Sequence, residues 1–540
     1  MQGLMMDYQL NVPAILRRAD ELFADREIVS REPDKSWRRS TYADFVSRTK
    51  RLSVALRTLG LEDGDRVGTF MWNHQHHLET YIGAPIGGFV THTLNLRLHA
   101  DDNTYIATHA GDRVLVVDKV LWPLAQQFVD RCGFEHVIAV GDGETPEGAL
   151  EYEELVGAAD EEAFSYRDLD ERSAAAMCYT SGTTGRPKGV LYSHRAIAVH
   201  ALTAGGLLGL TEGDTVLPVV PMFHANAWCF PFTCTLIGAK QVLPGPHLDP
   251  PSLLEAFEHE RVTVAAGVPT IWLGILQALD ANPGGWDLSA LRTMTVGGSA
   301  PPRAMIEAFQ ERHGLHVTHG WGMTEMSPIG TISGAPGQEQ GLSGAAAYDR
   351  RAMQGPPIPF VEIRARGAEG LVAWDGATMG ELEVRGVAVA SAYYEAPESA
   401  DRWTDDGWFR TGDIVTIGRD GYVQVQDRAK DLVKSGGEWI STVALENALM
   451  GHPAVAEAAV IAVPDEKWSE RPLAVVVLRE GQEATPEELR AFLEPHFARW
   501  WLPDRVEFVA EIPKTAVGKF RKTALREQFA QAGAPAEASA

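Results

Sequence analysis

The chain is short of cysteine: Cys132, Cys178, Cys229 and Cys234 are its four, and no CxxC pair is among them. Three of the four sit in apolar runs, which fits buried free thiols in a reducing compartment and speaks against a disulfide framework or a zinc site. No stretch approaches the ~20 continuous apolar residues that a bilayer-spanning helix needs. The N-terminal run MQGLMMDYQLNVPAILRRADELF has no basic segment leading into a long apolar one, so no secretory signal is evident. Basic residues are also in deficit. A formal net charge of -25 excludes the broad basic field of a nucleic-acid binder, so a polyanionic ligand must be met by local cations. No internal repeat is visible. Together these absences lead us to expect a soluble cytoplasmic protein without a transmembrane segment, peripheral membrane contact being left open.

What is present is an ordinary globular composition, 45% hydrophobic and 22% charged, spread over 540 residues. That length exceeds one compact core, so at least two domains are expected. Helical periodicity predicts helices over 41–59 (capped by Thr41 with Asp44), 77–86, 101–109 and 122–129. Strand-like runs fall at 66–71, 113–117, 136–140, 262–266 and 291–296. Such alternation predicts α/β layers with mostly parallel sheets. The run 333–353 is rich in Gly, Ala and Gln and reads as a long surface excursion. From Gly380 the pattern turns to strands with frequent turns, and the tail carries a small α+β pattern, with a helix over 442–450 capped by Ser441. His74, His76 and His77 cluster without a carboxylate or cysteine at a recognised metal spacing.

The chemistry-bearing residue types gather in a few stretches. YTSGTTGRPKG (179–189) puts four aliphatic hydroxyls, three glycines and a lysine into eleven residues. It follows the apolar run AAMC (175–178). That is poor material for a core and good material for wrapping phosphate with backbone N–H groups and hydroxyls; alone it also fits a mobile surface loop. It is not the usual nucleoside-triphosphatase loop, because Pro187 stands where GxxxxGK[ST] needs glycine and Gly189 replaces the hydroxyl residue. PMFHANAWCF (221–230) is neither clearly helix nor strand, and fits a pocket wall about as well as a core. GGSAPP (297–302) follows a strand at the sheet edge where α/β proteins bind ligands. In HGWGMTE (319–325) a dinucleotide fingerprint fails at Glu325. Glycines flanking Trp321 suit a flat ring slid against backbone, Thr324 can donate to phosphate, and Glu325 is a hard oxygen ligand for Mg2+. TGD (411–413) follows a tight turn. The charged run DRAKD (427–431) reads as a solvated face or as a linker opening a second domain.

In order, SGTTGRPKG, HGWGMTE, TGD, DRAKD, KSGG and PKTAVGK resemble the adenylate-forming superfamily over nearly the whole chain. Within it the sequence looks most like bacterial medium- and long-chain fatty acyl-CoA synthetases. The resemblance implies a large N-terminal domain (1–426) of stacked α/β sheets with a β-barrel-like part, and a small mobile α+β lid (427–540) hinged near Asp427. It implies ATP, Mg2+ and CoA, a fatty acid activated to acyl-AMP with loss of pyrophosphate, then transfer to CoA with loss of AMP.

The resemblance also implies roles. Thr180, Ser181, Gly182, Thr183, Thr184, Gly185 and Lys188 would hold the departing pyrophosphate. Gly320, Trp321, Gly322 and Met323 would receive the nucleotide, with the Trp321 ring against adenine, and Asp413 and Arg428 would bond the ribose. Thr324 would contact the α-phosphate, and Glu325 with Thr184 would hold Mg2+. Lys519 would bridge carboxylate and α-phosphate during adenylation. His224, Trp228, Gly297, Gly298 and Ser299 would line the acyl tunnel, with Trp228 as a gate. Lys434, Gly436, Gly437, Glu438 and Trp439 would border the CoA path. A homodimer is suggested, with the regions of Asp7, Glu171 and Arg195 at its interface. Two other readings stay open: an aryl- or amino-acid-activating ligase, and a non-catalytic nucleotide or acyl-ligand sensor. The pocket runs offer no acid for a substrate ammonium, and a sensor would not need Lys519, Glu325 and Asp413 together.

Overall fold

The computed structural model describes residues 1–540 except 2, 181–185, 436–437, 466, 516–518 and 531–540. Two α/β sheets face each other in the larger part. The first has seven strands in the spatial order Leu150–Glu151, His136–Val140, Asp112–Asp118, Arg66–Phe70, Val90–Thr93, Ala174–Tyr179 and Gly189–Ser193. Its neighbours are parallel except the last pair, an antiparallel hairpin whose connection is the glycine-rich loop. The second has eight strands: Ile329–Ser333, Val317–Gly322, Thr293–Val296, Val264–Gly267, Thr215–Pro218, Lys240–Leu243, Glu27–Arg31 and Trp37–Thr41. Only its two edge pairs are antiparallel. The sequence-based expectation of mostly parallel α/β layers therefore holds.

Between the sheets lies the helix Gln75–Ile86, and each of its residues is buried. Its Leu78, Tyr81, Ile82 and Ile86 pack with Tyr42, Phe45, Ile197, Phe230 and Phe232 in the largest hydrophobic cluster, while its buried Glu79 is paired with Arg48 at 2.7 Å. Its position explains the histidines. His74 caps the helix and pairs with Asp118 at 2.6 Å, His76 with Glu153 at 2.9 Å, and His77 bonds Trp72 O and Thr69 Oγ1, both at 3.0 Å. Burial, helped by His74, holds His77 down to about 3, a neutral interior ring.

A five-stranded antiparallel sheet follows, Gly370–Leu371, Val361–Gly367, Gly380–Gly386, Phe409–Ile417 and Val423–Arg428, in the place of the expected barrel-like part. The C-terminal residues build a separate small sheet. Glu438–Ile440, Val433–Ser435, Ser469–Leu478 and Val455–Asp465 pair in that order, and Arg505–Phe508 joins Ser469–Leu478. Thr442–Leu449 and Pro486–Leu493 cover its core of Leu445, Val460, Val476 and Leu489.

Three expectations need correction. The helix over 122–129 is only Trp122–Ala125 plus a separate 3-10 turn at Val129–Arg131, although Ala125, Phe128 and Val129 are all buried in one core cluster. The stretch 333–353 is not wholly a surface excursion: Ala345–Ala352 is a helix whose Ala347, Tyr348 and Arg351 are buried. The run 427–431 is not wholly a solvated face, for Asp427 and Asp431 are buried. Asp427 lies within the strand Val423–Arg428, opposite Ile414, its carboxylate accepting from Thr442 N at 2.9 Å.

Candidate active site

The hairpin strands Ala174–Tyr179 and Gly189–Ser193 bring the two ends of the glycine-rich loop together. Thr180 N–H donates to Lys188 O at 2.9 Å, and Lys188 N–H returns a bond to Thr180 Oγ1 at 3.1 Å. Ser181, Gly182, Thr183, Thr184 and Gly185 lie outside the described residues; the residues on either side of them border one cavity. Thr180, Arg186 and Lys188 line it, with Trp321, Gly322, Met323, Thr324 and Glu325 at and just past the end of a strand of the next sheet, Arg402 from the 3-10 turn Pro397–Arg402, Arg428 from the third sheet, and Lys519 from the C-terminal part. Among the described lining residues the cations Arg186, Lys188, Arg402, Arg428 and Lys519 stand against one carboxylate, Glu325. An acidic protein thus carries a locally basic pocket.

The strand Val317–Gly322 ends by delivering Trp321. Its ring sits on Gly330, where an added Cβ would fall 2.7 Å from ring Cζ3. The indole Nε1–H donates to Asp413 Oδ2 at 2.9 Å, and Arg428 Nε approaches Asp413 Oδ1 at 2.7 Å. Asp413 and Arg428 are cross-strand partners, so the register of two antiparallel strands sets this pair. The Asp413 carboxylate, first among its neighbours, pushes the Arg428 guanidinium above its ordinary value. Gly322 is required by space: a Cβ there would lie 2.0 Å from the Pro328 carbonyl oxygen.

Thr324 and Glu325 are held by two tyrosines that sequence reasoning missed. Tyr192 OH donates to Thr324 O at 2.6 Å, and Tyr393 OH donates to Glu325 Oε1. Tyr393 also lies under the Lys188 ammonium, 5.0 Å from ring centroid to Nζ, within cation–π range. Lys519 arrives from a turn closed by Thr515 N–H to Lys519 O at 2.7 Å and Lys519 N–H to Thr515 Oγ1 at 3.1 Å. Its Cε comes to 3.9 Å from the position of a Cβ on Gly298. Burial, with the Arg428 charge added, pulls the Lys519 ammonium down to about 8, against the opposing pull of Asp413 and Glu325.

The other arm of the cavity is neutral. His224, Ala225, Trp228, Thr295, Gly297, Ile329, Ile332 and Leu208 line it. Burial holds the His224 ring down to about 4, with Lys519 adding to the effect. The backbone from Ala225 to Cys229 is a left-handed turn without a glycine, φ running 43, 49, 48, 52 and 67°. At roughly 1–2 kcal/mol per residue such a turn persists only where its surroundings over-determine it. Cys178 Sγ donates to Asn226 Oδ1 at 2.9 Å. Upstream, Asn73 Nδ2 donates to Pro218 O and Val220 O at 3.1 and 2.8 Å, and its Oδ1 accepts from Met222 N at 2.7 Å. The turn presents Trp228 to Gly297, where a Cβ would meet the indole at 2.8 Å.

Most of the expected site residues therefore converge, Gly320 among them. Ser299 does not: it is exposed and absent from the cavity wall, because the chain turns outward at Gly298, φ 84°. Lys434 and Trp439 face each other across the strands Val433–Ser435 and Glu438–Ile440, are exposed, and take no part in the cavity. Gly436, Gly437 and the Glu438 side chain lie outside the described residues.

Comparison with known proteins agrees with this geometry. Residues 16–394 match the family model of the AMP-binding enzyme, and 444–519 that of the AMP-binding enzyme C-terminal domain. A long-chain-fatty-acid–CoA ligase of Thermus thermophilus is 50% identical over 97% of this chain and 96% of its own. A 3-methylmercaptopropionyl-CoA ligase of Ruegeria lacuscaerulensis is 41% identical over 98% of this chain and 99% of its own. The crystal structure of the anthranilate CoA ligase AuaEII in complex with anthranoyl-AMP superposes with a TM-score of 0.88 at 26% identity, covering 99% of this chain and 100% of that one. With its large N-terminal part, its small C-terminal part and this composite cavity, the chain belongs to the AMP-binding enzyme family.

Proposed function

We propose that the protein is an ATP-dependent fatty acid–CoA ligase, which joins a medium- or long-chain acid to AMP with release of pyrophosphate and then passes the acyl group to CoA. The observation that carries this reading is a single cavity with Lys519 at the junction of a cationic arm and a neutral arm. A carboxylate is a poor electrophile, and its attack on the α-phosphate concentrates negative charge. Preorganised cations lower that barrier most when they are already aimed at the developing charge. Lys519 would sit between the attacking carboxylate and the α-phosphate. Thr180 and Lys188 would draw on the departing pyrophosphate, together with 181–185. Trp321 would lie against the adenine, and Asp413 with Arg428 would take the ribose hydroxyls. His224, kept neutral, and Trp228 would border the acyl chain without adding charge where it must be apolar.

The donor set at Thr324–Glu325 fits Mg2+, which binds through one or two carboxylates plus phosphate oxygens rather than through a full protein cage. Glu325 would hold it, with Thr184. When bound, the ion neutralises phosphate charge. Thr324 would donate to the α-phosphate, its carbonyl fixed by Tyr192.

We assign 1–426 and 427–540 to the two domains, hinged at Asp427. The exposed position of Lys434 and Trp439 supports a second orientation, in which they and 436–438 replace Lys519 at the cavity for transfer to CoA. The same proposal includes a cytoplasmic homodimer. Support comes from an N-terminal arm that exposes Leu4, Met5, Met6 and Tyr8 while Leu10 N–H bonds Glu171 Oε2 at 3.0 Å; light scattering reads the assembly directly. Among the described residues no helix is long and apolar enough to cross a membrane.

The test is pyrophosphate release and acyl-CoA formation over saturated acids of graded length, with aryl acids as controls. Acid-dependent release with medium or long saturated chains is expected. Release with aryl acids alone would favour the aryl ligase, and no release with any acid would favour a sensor.

A further inference from the structure

Beyond the acyl arm lies a second cavity of about 320 Å³, lined by Leu208, Arg292, Thr293, His316, Thr318 and Gly334 among others. The two cavities share one floor. Along the strand Thr293–Val296 and just past it, Thr293 faces the second cavity while Thr295 and Gly297 face the first. On the neighbouring strand, His316 and Thr318 face the second and Gly320 the first. Thr295 and Thr318 are register partners, both buried, and Thr318 Oγ1 donates to Thr295 Oγ1 at 3.0 Å across the boundary. The next strand repeats the pattern with Ile332 in the first and Gly334 in the second. Alternate residues of a strand share a face, so the floor runs unbroken for ~13 Å from Gly297 to Thr293.

Only Leu208, among the described residues, lines both cavities. It ends the helix His194–Leu207 and is 1% exposed. Its backbone is pinned. Arg292 Nη1 donates to Leu208 O at 3.0 Å and Nη2 to Gly209 O at 3.1 Å, while Arg292 Nε donates to Asp214 Oδ1 at 3.1 Å. The same Arg292 lines the second cavity, so the strand that supplies the floor also fixes the leucine above it.

We propose that Leu208 is the chain-length partition of this enzyme: it closes the acyl arm, and the second cavity is the space that a longer saturated acyl chain enters when the leucine side chain is removed. The proposal rests on the reading of the first cavity as a fatty-acid site. The second cavity suits a hydrocarbon tail in that Arg292, Thr318, His316 Nε2 and Glu339 bond protein partners, while Gln340 is exposed. His316 Nε2–H donates to Gly334 O at 2.8 Å, its ring held below its ordinary pKa chiefly by burial, and Glu339 is held by Arg351. Buried Thr293 Oγ1 has no hydrogen-bond partner, a polar cost that a tail would meet on entry.

The experiment compares kcat/KM for pyrophosphate release over graded saturated acids in the wild-type enzyme, Leu208→Ala, Thr293→Phe and the double variant. At roughly fourfold per newly buried methylene, Leu208→Ala should raise the long-to-short ratio of kcat/KM at least tenfold. Thr293→Phe, which fills the second cavity, should leave the wild-type profile as it is and cancel the gain in the double variant. Leu208→Val removes less and should shift the ratio about fourfold, which keeps the test open if the alanine variant folds poorly. Equal losses across all lengths in both Leu208 variants would make the residue a packing element and overturn the partition. So would a wild-type profile shortened by Thr293→Phe alone, since the tail would then already pass the leucine. A wild-type enzyme inactive on every saturated acid would instead overturn the fatty-acid reading, and the partition with it.

Discussion

At the residue scale the cavity turns on Lys519, whose ammonium is pulled to about 8 mainly by burial. Its charged form is present below that value and lost above it. For the free enzyme, kcat/KM of adenylation should therefore decline above about pH 8, while Lys519→Arg keeps its charge through that range. A pyrophosphate-release profile that is flat across that window in the wild type would contradict the role. Lys519→Ala should cost roughly 10²–10³ in adenylation, yet still convert synthetic acyl-AMP and CoA to thioester; equal loss of both steps would remove the case for two orientations. That Lys519 and Glu325 share one cavity, with Asp413 bonded to its Trp321, was legible in the sequence because they stand in compact motifs. Tyr393 and Tyr192 were not, since their partners lie 68 and 132 residues away and only the folded chain brings them together.

Elements were legible wherever local chemistry decides them. Thr41 with Asp44 closes a capping box on Tyr42–Thr58, and Ser441 caps Thr442–Leu449, both as expected from the cap residues. The left-handed turn at Ala225–Cys229 carries no such mark, for it contains no glycine and its conformation is imposed from outside. Asn73 is one source of that imposition, bonding three backbone groups of 218–222. Asn73→Ala leaves those groups unpaired, so a loss of about 2–4 kcal/mol is expected. A lowered apparent Tm together with weaker acid-dependent pyrophosphate release would report it. An unchanged Tm would mean that water or a neighbour replaces the amide.

At the scale of the whole molecule, the junction of the two parts is a buried charge cluster. Lys522 Nζ lies 2.7 Å from Glu446 Oε1 and bonds Thr442 Oγ1, which in turn bonds Asp427, while Arg526 pairs with Asp431. Carboxylates outnumber cations there. Lys522 is held charged, above its ordinary value, and Glu446 is pushed up to about 7, chiefly by burial. A carboxyl raised in the folded state binds its proton more tightly there than when unfolded, so its contribution falls as pH rises from about 4.5 to about 7 and is flat above. Glu446→Gln should remove that slope from thermal denaturation of the C-terminal part; a slope unchanged in the variant would assign it to other groups. The sequence marked this junction as a charge run, but its burial depends on Thr442 and Lys522 folding back onto it.

Arg428 follows Asp427 directly in the chain and faces Asp413 across the sheet. If the lid swivels at Asp427, the guanidinium must travel with the backbone while Asp413 stays behind in its strand. The Asp413–Arg428 pair would then open as a mechanical result of the turn, and each closure would need to rebuild it. Nucleotide occupancy and lid position become two readouts of one joint: bound AMP would resist the swivel, and a completed swivel would loosen AMP.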